Sequence, residues 1–196
     1  SSDGTQMELD GDGAPMGSAE EIGVAGNQLL RATTGLVADL DKDGLVEEQK
    51  QLHHAVAGLA VAIVRAGARL EVLEPVANAF AALADETQEP ERLTTLGYLM
   101  EEAITASSPV AAYRAEISGS SHPSRMMLLN LGVVATRSHD TELMERAFDR
   151  MAENIPTDLA AFLRGAVDEM EQAGHPEEVK ALLLTYQDRQ APRGDR

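Results

Sequence analysis

Ala79-Phe80-Ala81-Ala82-Leu83-Ala84-Asp85-Glu86, followed by Pro90-Glu91-Arg92-Leu93, is the stretch that decides the fold, because it returns as Ala147-Phe148-Asp149-Arg150-Met151-Ala152-Glu153-Asn154, followed by Pro156-Thr157-Asp158-Leu159. In both places apolar residues fall at helical spacing and polar residues close the run. A proline then opens the next stripe, where its missing N–H and fixed φ suit a first helical turn. The match extends outward. Ile63-Val64 lines up with Val133-Val134, and Pro109 with Pro176, at an offset drifting between about 66 and 70 residues. The spacing predicts a four-helix unit over 52–118 and a copy over 122–188, linked by Ser118-Gly119-Ser120-Ser121. The alternative, that two Ala-rich amphipathic helices align this well through composition alone, stays open.

The rest of the chain reads as helix too. Ser18-Ala19-Glu20-Glu21 is a capping box, and Ile22, Leu29, Leu30, Val37 and Leu40 then recur at helical spacing. A long helix is expected after Gly44, to about Arg65; its Ala55–Val64 stretch is apolar all round and predicts burial on most sides. Gly58 and Ala62, one turn apart, would let another helix come close. Further starts are marked at Pro90, Pro109, His122-Pro123, Pro156 and His175-Pro176. Period-two alternation is scarce, and β-branched residues do not cluster around turn dipeptides. The expectation is an all-α chain: eight or nine helices in one domain over 18–190, arranged as a short stack of antiparallel hairpins.

The chain has 196 residues and a net charge of −17. Its 43% hydrophobic and 25% charged residues are globular proportions. The acidic balance argues against a nucleic-acid partner, since like charges repel. No run approaches the ~18 apolar residues that a membrane span needs. Cysteine is missing, so disulfides and thiolate chemistry are excluded. Residues 1–17 mix Ser, Asp and Gly with few apolar side chains and read as a flexible acidic tail, and 191–196 as a disordered one. Residues 1–49 carry eleven acids against Arg31 and Lys42. No intact secretion signal is visible, and a cytoplasmic location is expected.

A shorter period lies within the longer one. Leu93-x-x-Leu96-Gly97-x-x-Met100 is followed thirty-five residues on by Leu128-x-x-Leu131-Gly132-x-x-Ala135, then by Met144, Phe148, Met151 and Pro156. This resembles the tetratricopeptide repeat, a helix–turn–helix of about 34 residues; armadillo- or HEAT-like helix pairs fit nearly as well. The chain departs from that pattern in lacking first-helix aromatics and in having Met144 and Met151 where small residues are usual. Segments 52–90 and 159–190 match poorly. The resemblance implies a superhelix lined by the first helix of each pair, presenting Glu91, Thr94, Tyr98 and Glu101, then Met126, Leu129, Val133 and Thr136. Methionines beside a tyrosine suit a groove that grips a peptide or helix. The alternative is that Met126, Leu129 and Val133 are simply core of a compact bundle, which is the commoner meaning of an apolar stripe at helical spacing.

Asp39-Leu40-Asp41-Lys42-Asp43-Gly44-Leu45-Val46 resembles the opening of an EF-hand calcium loop, with carboxylates at positions 1, 3 and 5 and glycine at 6. Position 12, where that family needs a bidentate Glu, is Lys50, so any calcium held by Asp39, Asp41 and Asp43 is expected to be weakly bound. The plainer alternative is an acidic turn in which Asp43 caps the following helix. His53 and His54 are adjacent and diverge by about 100° on a helix, which prevents joint chelation. His122 and His175 read as helix-entry residues, and His139-Asp140 as a helix start. No nucleophile elbow or phosphate-binding loop is present.

These readings point to a non-catalytic interaction module, an adaptor, chaperone-like or regulatory subunit holding a protein or peptide partner, with a basic partner favoured by charge. A homodimer is compatible with the Ala- and Met-rich surface. The alternatives are a ligand-binding or enzymatic bundle with a non-local site, and a weak calcium-responsive module.

Overall fold

The structure, a computed structural model, describes residues 18–107 and 122–190. Nine helices lie among the described residues: α1 (Ala19–Thr33), α2 (Leu36–Lys42), α3 (Val46–Arg65), α4 (Glu74–Asp85), α5 (Pro90–Thr105), α6 (Pro123–Ser138), α7 (Thr141–Asn154), α8 (Pro156–Ala173) and α9 (Glu177–Gln190). The fold is all-α, and helices pack mainly on a neighbour in order, except α1, which sits mainly on α3. The contacts of α6 with α7 and α8, and of α9 with α7 and α8, show the pattern of a stack, in which an element meets the next two in order. The predicted starts at Pro109 and the Ser118–Ser121 link lie outside the described residues, as do both tails.

Local chemistry explains most boundaries. Ser18 Oγ accepts from the Glu21 amide at 3.3 Å, and the Ser18 amide donates to Glu21 Oε2 at 2.8 Å, closing the capping box. Prolines open α5, α6 and α8. The His122 ring nitrogen accepts from Ser124 N–H at 3.2 Å, and Asp140 caps α7 through the Leu143 amide at 3.0 Å. One expected cap differs. Leu45 is the residue before α3, no side chain caps that helix, and Asp43 instead ends α2.

A continuous apolar core runs through the stack, with Leu30, Ile63, Phe80, Met100, Leu131, Phe148, Leu163 and Leu183 wholly buried. Close approaches occur where side chains are absent. A methyl on Gly97 would collide with Leu143 of α7, and one on Gly132 would meet Met151 Sδ at 2.9 Å and Phe162 at 3.4 Å. The small residue of each apolar motif therefore seats a neighbouring helix. Gly58 does not: it is exposed and nothing lies within 4 Å of where its methyl would be. Nor is α3 buried on most sides. Val56, Ala57, Ala60 and Ile63 face the core, whereas Ala55, Gly58 and Ala62 face solvent. Small residues cost little to expose, so an all-apolar run settled into a one-sided helix.

The connector between α3 and α4 is pinned by Asn27, only 2% exposed on α1. Its Nδ2 donates to Gly23 O at 2.9 Å and Arg69 O at 2.8 Å, and its Oδ1 accepts from Glu71 N–H at 2.8 Å. Leu70 N–H donates to Ala106 O at 3.0 Å, tying the same connector to the end of α5. Among the described residues there are no strands, and no helix is long and apolar enough to cross a membrane.

Candidate functional site

The candidate residues on α5 and α6 separate into two environments. On α6, burial covers Met127, Leu128, Leu131, Gly132, Val134, Ala135 and Thr136. Met126 at 37% exposure, half-buried Leu129 and Val133 at 41% lie outside that buried set, as do half-buried Pro123, Ser124, Arg125, Asn130 and Arg137. Residues at i, i+3 and i+7 share one helix face, so the first three form an apolar strip, with the Asn130 and Arg137 side chains beside it. Leu129 also packs against the core, as the compact-bundle alternative expects, while Met126 and Val133 are exposed. Thr136, in contrast, is buried with its hydroxyl donating to Gly132 O at 2.9 Å.

Glu101 on α5 occupies the other environment. Its side chain is 4% exposed and faces two arginines one turn apart on α7. Arg146 Nη2 lies 2.7 Å from Oε2 and Arg150 Nε 3.3 Å from Oε1. Arg150 also donates to Thr105 Oγ at 2.8 Å, and the Arg146 guanidinium sits 5.6 Å from the centre of the Tyr98 ring. The hydrogen bond with Glu101 holds Arg146 above its ordinary value, while burial and then the Asp140 and Glu142 charges push the Tyr98 hydroxyl up. Expected on a partner-facing surface, Glu101 is instead a buried ion-pair centre joining α5 to α7. The physical reason is that a carboxylate removed from water needs compensation, and two guanidiniums supply it. Tyr98 stays half-buried at the edge of an open cleft of about 380 Å³, lined also by Val64, Glu102, Thr105, Ala106 and Arg146.

Other polar links hold the second half of the stack. Arg125 grips Asp158 as a fork at 2.7 and 2.6 Å, which draws the Asp158 carboxyl below its usual value. Tyr186 of α9 donates to Asp149 Oδ1 at 2.7 Å, and burial followed by that bond pushes its hydroxyl up to about 12. Its ring meets Phe148 edge-on at 5.2 Å. A second cleft, of about 290 Å³, is lined by Leu73, Ile104, Met127, Leu128, Arg150 and Asn154, among others.

The acidic motif folds differently from a calcium loop. Asp39 and Asp41 lie within α2, about 200° apart around its axis, so their carboxylates diverge. Lys42 pairs with Asp39 at 3.2 Å, and Asp43 follows at the helix end. Among the described residues no group of three or more His, Asp or Glu is placed to hold a metal ion. His53 is buried on α3 with no partner for Nε2 among the described residues, and His54 pairs with Glu86 at 2.9 Å. Neither lines the two clefts described above.

Asn27 and the Arg146–Arg150 pair were missed by sequence reasoning. A polar residue among Gly23, Gly26 and Leu30 on one helical stripe was the available signal for Asn27. The arginine spacing of four on α7 was the signal for the clamp, although its acidic partner is remote in sequence. Comparison of the chain with protein-family models, curated proteins and solved structures gives no match.

Proposed function

We propose that the protein is a non-catalytic interaction module, whose stacked helices hold a protein or peptide segment against the outward strip of α6. The observation that carries this reading is the exposure of Met126 and Val133, with Leu129 between them, on one face of a helix whose other apolar residues Met127, Leu128, Leu131, Val134 and Ala135 are buried. Met adapts its shape to a partner at little cost, and a flanking Val gives a fixed apolar edge. The spacing suits the side chains of an amphipathic helix or extended segment. The net charge of −17 favours a basic partner through faster association. The open Tyr98 cleft has its charged lining engaged in the Glu101–Arg146 and Glu102–Arg65 pairs, which fits a supporting wall better than an enclosing pocket.

The test compares proteins retained from native extract by the wild-type chain and by the Met126→Glu/Val133→Glu double variant. The proposal expects at least one partner to be lost at unchanged Tm, because both positions already face water. Retention of every partner by the double variant overturns it.

A further inference from the structure

We propose that His139 and His175 form a two-histidine site for a borderline divalent transition metal of the zinc, nickel or copper class. His139 ends α6 and His175 precedes α9, so the pair joins two turns thirty-six residues apart in the chain. Nδ1 of His175 stands 3.3 Å from Nε2 of His139. Two nitrogens bound to one tetrahedral ion at about 2.05 Å each are separated by about 3.3 Å. The same 3.3 Å contact is a hydrogen bond between the two rings, whose shared proton a bound ion would displace. The rings meet edge to face, with centroids 5.5 Å apart and planes at 86°. Both residues are half-buried.

The cation acting on the pair, Lys180, is itself paired with Glu177 at 3.0 Å. His139 is the one non-glycine residue with positive φ among the described residues, at 59°, a helix-ending conformation in which His, like Asn and Asp, is enriched. Imidazole pairs prefer borderline ions over calcium or magnesium. A bound ion would lock the α6–α7 turn to the α8–α9 turn.

The experiment melts the full chain with and without Zn²⁺, Ni²⁺, Mg²⁺ or Ca²⁺. Tm is expected to rise by about 5 °C once Zn²⁺ or Ni²⁺ exceeds its dissociation constant a hundredfold, with no rise in Mg²⁺. His139→Gly, which keeps the left-handed turn, and His175→Gln should each abolish the rise, although His53, His54 and His122 remain. No rise in the wild type, or a rise kept by both variants, overturns the site. Spin resonance of the Cu²⁺-loaded wild type gives a check independent of variant folding: coupling to two nitrogen donors is expected, and one or none contradicts it.

Discussion

The α3–α4 and α6–α7 pairs are built from matching sequence and end with different outer faces. Their shared part is internal: Ala79-Phe80 and Ala147-Phe148 are all fully buried, and Leu93 and Leu159, after the two prolines, are buried as well. The upstream helices part company. Ile63 is wholly buried, whereas its counterpart Val133 is 41% exposed; Val64 is half-buried and Val134 wholly buried. A one-residue displacement of the buried line corresponds to about 100° of rotation. As a result the Ala55–Val64 stretch of α3 shows solvent the small residues Ala55, Gly58 and Ala62, with exposed Val46 only at the helix start, and α6 shows Met126 and Val133. Exposed methyl groups ask little of their surroundings. A methionine and a valine aligned on one face leave apolar area whose burial by a partner would be favourable.

The largest effects are expected at the centre the two pairs share. Phe80→Ala and Phe148→Ala should each cost about 3–5 kcal/mol in urea unfolding. Phe148 should be the costlier by about 1 kcal/mol, since it also meets Phe162 and Tyr186. Near-zero cost at either position would break the equivalence. The divergent position comes next: Ile63→Ala should cost about 2–5 kcal/mol, and Val133→Ala within about 0.5 kcal/mol of nothing. Equal losses would contradict the rotation.

Glu101→Ala should lower stability by about 1–3 kcal/mol, less than a fully buried pair, because Arg146 and Arg150 reach solvent and can rehydrate. The smallest change has the opposite sign. Gly58→Ala should stabilise by about 0.5–1 kcal/mol through the unfolded chain, whereas Gly97→Ala should destabilise against Leu143.

Acidity supplies a separate check. Burial is the first cause that lowers the proton affinity of His53, His122 and His175 below the ordinary 6.5. The unfolded chain therefore binds more protons than the folded one between those depressed values and 6.5. The resulting stability is present above pH 6.5 and is lost as pH falls through the folded values. Thermal melts should be flat near neutrality and decline below that point. A Tm that climbs on acidification through the same window would refute the assignment.

What could be read from residues alone divides along the same physical line. The capping box at Ser18, the proline starts and the buried Ala-Phe pairs follow from local rules and were legible. The outer face of α3 was not, because periodicity carries no phase when every residue in Ala55–Val64 is apolar. The burial of Glu101 depends on arginines forty-five and forty-nine residues away, which no local spacing reveals. Alternating aspartates at 39, 41 and 43 suggested convergence on a cation, yet the same alternation on a helix makes them diverge. Met126, Leu129 and Val133 were identified as one stripe, while the direction it faces is set by how α6 sits against α5, α7 and α8.

The most direct measurement places a photo-reactive amino acid at position 133 of α6 or at position 58 of α3, both exposed, and follows crosslinking in native extract. The account predicts a discrete crosslinked partner from position 133 and none from position 58. Equal capture at both, capture at 58 alone, or none at 133 would contradict it.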